Sequence, residues 1–267
     1  MKRAMIRKTL AATKEATFSV DLPFPPINGP PSPSGTGFFV SADGWFLTAA
    51  HVVTDQAGNG RTDVDKGDLN RPTPTWMESC DDFTLDHLDK PLDYAILKVD
   101  LAKNKKKDWL KNRTGFPFLQ VSARVLDEGE PVYAFGYPLP VRDILQQSGP
   151  LSFSSWAYSP RVTSAIVASN VEYSASVKST SDPLRYVLDK ALNYGNSGGP
   201  IVATETGRVH ALCTHFQFVK VRQPHLQHAL GANVFVEIPS LYGVVLSLSN
   251  PAVVAELQKR GVPITRD

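Results

Sequence analysis

One stretch constrains this chain more than any other: Asn193-Tyr194-Gly195-Asn196-Ser197-Gly198-Gly199-Pro200, followed by Ile201 and Val202. Glycines crowded around a serine ask for backbone that a side chain would obstruct, since glycine has no Cβ and reaches positive φ without steric cost. The apolar pair after Pro200 reads as a strand that anchors the turn. A serine hydroxyl is a poor nucleophile at neutral pH. Presented on such a turn, beside a base and with fixed donors to meet an oxyanion, Ser197 becomes a candidate nucleophile. An isolated Gly-x-Ser-Gly-Gly is as readily a surface turn, so the chemistry needs partners elsewhere in the chain.

Two partners are available. His51 lies in Thr48-Ala49-Ala50-His51-Val52-Val53, just after the apolar run Trp45-Phe46-Leu47. His87, the only other histidine before Ser197, has charged neighbours and reads as surface. Asp93 stands at the mouth of Tyr94-Ala95-Ile96-Leu97-Lys98-Val99, a run rich in strand formers. Asp86 and Asp89 are rivals for an orienting role. Each signal alone has an ordinary explanation, a core histidine or a strand-entry aspartate. Together they supply base, orienter and nucleophile in the chain order His, Asp, Ser.

The segments TAAHVV around His51, DYAILKV from Asp93 and GNSGGPIV around Ser197 together resemble the trypsin-like, chymotrypsin-fold serine peptidases, most closely the bacterial branch that includes the HtrA/Deg proteases. Gly35-Thr36-Gly37-Phe38-Phe39-Val40 resembles that family's first barrel strand. Pro131-Val132-Tyr133-Ala134-Phe135-Gly136-Tyr137-Pro138 resembles the strand opening its second barrel, and Asn233-Val234-Phe235-Val236-Glu237-Ile238-Pro239 its closing strand. The resemblance runs in order from about Ser34 to Pro239. It departs at a long Asp-rich insertion between His51 and Asp93 and in lacking a PDZ-sized tail after Pro239.

The resemblance implies an all-β fold of two six-stranded antiparallel β-barrels with a C-terminal helix. Residues 1–33 would be a basic segment and Pro-rich linker, 34–118 the first barrel carrying His51 and Asp93, and 119–130 the inter-barrel linker. Residues 131–248 would be the second barrel carrying Ser197, and 249–267 the helix. It implies a serine endopeptidase acting on polypeptides, with His51 as base, Asp93 as orienter and Ser197 as nucleophile. The oxyanion pocket falls on Gly195, Asn196 and Ser197, its donors being the N–H groups of Gly195 and Ser197. The pocket for the residue before the scissile bond falls on Ala191, Leu192, Cys213 and Thr214. Its floor position, six before Ser197, is Ala191 rather than an aspartate, so a small or medium apolar side chain is expected there. Digestive members pair a new N-terminus with an aspartate directly before the serine. Here that position is Asn196, and no Arg-Ile-Val-Gly-Gly start occurs. Loops, together with a regulatory protein partner or an oligomer, are expected to set the pocket instead.

Composition removes other classes. The 267 residues, 42% hydrophobic and 20% charged with a net charge of +2, are ordinary for a globular chain and carry no global nucleic-acid footprint. The Lys103–Lys107 run reads as a solvated turn. No apolar run is long enough to span a membrane. Only Cys80 and Cys213 occur, one in a polar stretch and one in a strand-like run, so no bridge is assumed and a reducing compartment fits. Residues 1–17 are basic and suit a short amphipathic helix. Leu10-Ala11-Ala12 is too short for a signal-peptide core, so a retained segment and a cytoplasmic location are expected, with the periplasm as the alternative. Asp55, Asn59, Asp63, Asp65 and Asp68 lack EF-hand spacing, and His225 and His228 lack further ligands. Neither metal nor cofactor is expected.

Local signals add detail. Asp43-Gly44 between Gly37–Val40 and Trp45–Thr48 marks a hairpin. Residues 54–91 read as an elaborated surface loop, and 170–182 as an exposed Ser-rich loop. Arg161–Val167, Arg185–Leu188 and Val209–Phe216 read as strands. Ser249 or Asn250, Pro251 and Gly261 bracket a helix. Gly195-Asn196-Ser197-Gly198-Gly199 also satisfies the α/β-hydrolase elbow, which needs an acid and then a histidine after the serine. Asp267 follows every histidine, and although Glu205 precedes His210, short strands without alternating long helices argue against an esterase. A non-catalytic peptide-binding module on the same barrels would be favoured by a missing triad member, and none is missing.

Overall fold

The computed structural model describes residues 2–23, 34–55, 57–73, 77–103, 107–110, 113–138, 141–147, 152–157, 160–170, 185–192, 195–222 and 235–266. Helix α1 (Lys2–Ala16) leads directly into β1 (Thr17–Asp21). There follow β2 (Gly35–Phe39), β3 (Trp45–Thr48), β4 (Asp68–Pro72), β5 (Met77–Cys80), β6 (Phe83–Asp89) and β7 (Tyr94–Val99). These strands form one sheet in the order β5-β4-β1-β2-β3-β7-β6. It has one strand more than the expected six, and among the described residues no pairing joins its edges β5 and β6.

The second half contains β8 (Val121–Ser122), β9 (Pro131–Gly136), the hairpin β10 (Val141–Gln147) and β11 (Ser152–Ala157), then β12 (Arg161–Ser169) and β13 (Arg185–Leu188). β14 (Pro200–Ala203), β15 (Val209–Arg222), β16 (Phe235–Ser247), helix α2 (Pro251–Lys259) and β17 (Ile264–Thr265) complete it. Its sheet runs β14-β9-β12-β13-β16-β15, and β14 pairs with β15 as well, which closes six strands into a barrel. β8 joins β15 in parallel and β17 joins β8.

Two expectations change here. The first sheet begins at Thr17, well before Ser34, because Phe18, Val20 and Leu22 alternate into an apolar cluster while Ser19 bonds to the Asn70 carbonyl. The stretch 54–91 is not a surface loop: it supplies β4, β5 and β6. Leu69, Cys80 and Phe83 are fully buried, with polar residues between them. Those polar residues bond one another, Asn70 donating to Asp21 (2.6 Å) and accepting from Ser79 (2.6 Å). Cys80 therefore lies in a strand, and both cysteines are buried and not joined in a disulfide.

Other local readings hold. Val40 and Trp45 join the β2–β3 hairpin (2.8 Å), with Gly44 at φ 94°. Asn250, rather than Ser249, caps α2, its side-chain oxygen accepting from the Ala252 N–H at 2.9 Å. Gly261 ends the helix at φ 70°, and Val262 N–H reaches back to the Leu257 carbonyl at 3.1 Å. The Ser-rich stretch after Asn170 and the His225/His228 pair lie outside the described residues.

Among the described residues, three apolar clusters organise the interior. One fills the first sheet, with Phe39 stacked on Phe116 (centroids 4.4 Å apart) and edge-on to Trp109 (5.2 Å). One fills the second barrel around Val132, Tyr186, Ile201 and Val245. The third draws Phe38, Leu47 and Ile96 from the first sheet together with Tyr133, Leu212 and Leu246 from the second barrel, and adds Ala16 of α1 and Leu257 of α2. That shared cluster fixes the two halves against each other.

His210 on β15 is fully buried, with Nδ1 3.0 Å from the Arg124 carbonyl. Burial holds its pKa below the ordinary imidazole value, although that hydrogen bond opposes the shift. The unfolded chain therefore takes up this proton first as pH falls through about 6.5, so stability present above that pH is lost on acidification. The urea midpoint is expected to fall between about pH 7 and pH 5, and to fall less in His210→Gln. Equal slopes for the two proteins would contradict this.

Candidate active site

The Ser197 turn is bolted to both halves of the molecule. Gly195 and Gly198 take φ of 89° and 85°, where a side chain would be strained. A Cβ on Gly198 would stand 2.1 Å from the Thr36 carbonyl oxygen and 2.3 Å from Thr48 Oγ1. Thr36 N–H donates to the Ser197 carbonyl at 2.8 Å. On the barrel side, Gly198 N–H donates to the Cys213 carbonyl (2.7 Å), and Cys213 N–H returns to the Gly199 carbonyl (2.8 Å). Ser197 is half-buried, and its hydroxyl donates to the Thr214 carbonyl at 3.4 Å. Among the described residues the N–H groups of Gly195 and Ser197 have no protein acceptor.

His51 sits in a single helical turn (Ala50–Val52) that follows β3. Its ring is 47% exposed, and Nδ1 lies 2.9 and 3.0 Å from the two carboxylate oxygens of Asp93. The His51 backbone N–H also donates to Asp93 Oδ1 at 3.1 Å. This pairing puts the imidazole proton on Nδ1 and leaves Nε2 as the acceptor. Asp93 ends the turn before β7 at φ 60°, its N–H donating to the Lys90 carbonyl (3.1 Å). Aspartate tolerates that conformation better than most side chains.

The rival residues have other duties. Asp89 caps the same turn by accepting from the Leu92 N–H at 2.9 Å. Asp86 pairs with Arg260. His87, expected at the bare surface, meets the Tyr94 hydroxyl at 3.1 Å and Glu256 at 3.7 Å.

The residues expected to wall a substrate pocket divide. Leu192 and Cys213 pack in the second barrel's core, Leu192 filling the space that a side chain at Gly243 would take. Thr214 is fully buried, its hydroxyl donating to the Val244 carbonyl at 3.0 Å. Only Ala191 stays half-exposed. Burial pushes the Cys213 thiol pKa up, and the charge of Asp93 adds to the shift, so Cys213 is a neutral neighbour rather than a competing nucleophile. Asn196 is buried, and its Oδ1 has no hydrogen-bond partner among the described residues. Asn193 and Tyr194 lie outside them.

Thr36 is the residue that sequence reasoning passed over. It touches Ser197, Gly195, Tyr137 and Thr48, and the only sequence hint is a small polar residue between Gly35 and Gly37. A Cβ on Gly35 would come 2.4 Å from Val52 and 2.9 Å from the Ser197 carbonyl, so this strand can approach the turn only through glycine.

The profile of the trypsin-like peptidase domain family matches residues 35–212. The chain belongs to that family. It is 30% identical over 173 residues to serine protease HTRA1 of Xenopus laevis, a match covering 64% of this chain and 29% of that protein. It is 28% identical over 174 residues to serine protease HTRA4 of Mus musculus, covering 64% of this chain and 28% of that protein. The matched stretch thus spans under a third of the length of these relatives. A serine endoprotease from Yersinia pestis superposes with a TM-score of 0.53 at 18% identity, over 96% of this chain and 66% of that one, which shows a shared chymotrypsin-like fold.

The tolerance of the peptidase domain to side chains should separate strain from crowding. Gly58 has φ of 77° with nothing within 4 Å of a built Cβ. Gly58→Ala should cost about 1 kcal/mol, the price of the left-handed conformation alone. Gly198→Ala adds a clash with fixed backbone and should cost ~3 kcal/mol or more by denaturant unfolding. Equal costs would show that the turn does not press against Thr36 and Thr48.

Proposed function

We propose that this peptidase domain is a serine endopeptidase that cleaves polypeptides through an acyl-enzyme. Ser197 Oγ attacks the scissile carbonyl carbon while His51 Nε2 takes its proton. The N–H groups of Gly195 and Ser197 receive the charge that develops on the carbonyl oxygen. Collapse of the tetrahedral intermediate expels the amine, which leaves with the proton from His51. Water, deprotonated by the same ring, then releases the acid and regenerates the serine. Asp93 keeps the proton on Nδ1 and stabilises the imidazolium that forms at each transfer.

The observation that carries this reading is the His51–Asp93 pair. An imidazole Nδ1 within 3.0 Å of both oxygens of a carboxylate has its tautomer fixed, with Nε2 free to serve as a base. The glycine-framed serine turn, and its N–H groups that find no acceptor among the described residues, support the same reading. A half-exposed Ala191 with no acid at that position supports cleavage after small or medium apolar residues.

A fluorophosphonate probe should label Ser197 in the native protein, and Ser197→Ala should abolish both labelling and peptide hydrolysis while leaving the fold intact. Asp93→Asn should lower kcat by roughly 10⁴-fold through the wrong tautomer. Hydrolysis retained in Ser197→Ala would remove the nucleophile assignment. A peptide-library profile should favour Ala- or Val-sized residues before the cleaved bond, and one dominated by Lys or Arg would contradict the pocket assignment.

A further inference from the structure

Thr36 belongs to the half of the molecule that carries His51, yet its N–H and its hydroxyl are spent on the half that carries Ser197. Its hydroxyl stands 2.6 Å from the Gly195 carbonyl oxygen. The Tyr137 N–H donates into the same hydroxyl at 2.9 Å. A threonine hydroxyl has one proton and two lone pairs. With one lone pair taken by Tyr137, the proton is aimed at Gly195. Tyr137 is itself anchored by its phenol, which donates to the Thr17 carbonyl at 3.1 Å. Thr36 is fully buried, so no bulk water competes for these bonds.

Gly195 needs such a restraint. At φ 89° and without a Cβ, it allows the Gly195–Asn196 peptide to rotate with little steric resistance. That peptide carries the Asn196 N–H and links the Tyr194–Gly195 and Asn196–Ser197 peptides, so its rotation would disturb the directions of the Gly195 and Ser197 N–H groups on either side of it. Turning the carbonyl away would leave the fully buried Thr36 hydroxyl proton without its acceptor, which is costly, so the hydroxyl selects one orientation of this peptide. Space restricts it further: a Cβ on Gly136 would lie 2.5 Å from Asn196 Oδ1 and 3.1 Å from Thr36 Oγ1.

We infer that Thr36 is a positioning residue for the oxyanion pocket: its hydroxyl, reaching across from β2, holds the Gly195 carbonyl so that the N–H groups of Gly195 and Ser197 face the substrate. This rests on the serine-peptidase reading given above. Unlike the cleaved N-terminus that pairs with an acid in digestive members of the family, the lock here is a neutral hydroxyl on a strand and needs no cut in the chain.

Thr36→Val keeps the shape and removes the hydroxyl, and Thr36→Ser restores it. In Thr36→Val, kcat should fall about 10- to 100-fold with KM changed by less than about threefold, the cost of a misaligned site. Fluorophosphonate labelling should slow in parallel, and Thr36→Ser should recover to within about threefold of native. Thr36→Cys, with a weaker S–H donor, should fall between them and keeps the test available if the valine variant does not fold. A crystal structure of Thr36→Val, or of the cysteine variant, should show the Gly195 carbonyl turned from its native direction. Native kcat in Thr36→Val, a cysteine variant equal to the serine variant, or an unmoved Gly195 carbonyl would each overturn the inference. A native protein that never labels at Ser197 would instead refute the peptidase reading, and the Gly195 carbonyl direction in the variant crystal would still decide the role of Thr36.

Discussion

The close approach of β2 to the Ser197 turn is the contact on which the site depends. Thr36 N–H meets the Ser197 carbonyl at 2.8 Å, and Gly198 presents a bare Cα to the Thr36 carbonyl and the Thr48 hydroxyl. Thr48 Oγ1 in turn donates to the Thr36 carbonyl at 2.7 Å, three residues before His51. One strand thereby ties the serine turn and the histidine turn to each other through backbone and short side chains. Such links have little rotamer freedom to lose, which suits a site where displacements of 1 Å matter. The glycines on both sides are a consequence, since any side chain at Gly35 or Gly198 would force the two halves apart.

That approach needs the halves pressed together, and the shared apolar cluster does this. Burial of its large side chains outweighs the exposed ion pairs around it, which contribute little individually. The terminal helices extend the clamp. Thr13 of α1 meets the Tyr133 hydroxyl at 2.9 Å, and Ala16 enters the cluster. Arg260, at the end of α2, pairs with Asp86 of β6 and Glu256, and lies over the Trp45 ring at 5.6 Å. Arg185 of the second barrel reaches the Pro91 carbonyl at 3.1 Å, beside the turn that delivers Asp93. The parts most remote from Ser197 in sequence therefore set the frame in which it sits.

What the sequence revealed, and what it hid, follows from the range of the interactions. Gly198 and the run from Thr48 to His51 were legible because their backbone demands restrict the residue type at each position. The α2 boundaries were legible because Asn250 and Gly261 act on neighbours within the same helix. β1 was missed because its alternation is short and lies before a Pro-rich stretch. The strands within 54–91 were missed because polar residues such as Asn70 and Ser79 are satisfied by partners on adjacent strands rather than by solvent. Thr36 was invisible for a related reason: its partner Gly195 lies 159 positions away. Leu192 and Cys213, expected along a substrate pocket, have side chains buried in the second barrel's cluster, a packing direction that position along the chain does not specify.

The most direct test is a crystal structure of the protein with a peptidyl boronate bonded to Ser197. If the halves meet as described, one boronate oxygen will lie about 3 Å from the N–H groups of both Gly195 and Ser197, with His51 Nε2 in hydrogen-bond reach of the adduct and Nδ1 still on Asp93. A boronate oxygen facing the Gly195 carbonyl instead, or a His51 ring out of reach while Asp93 holds it, would contradict the claim that β2 sets the geometry of the site.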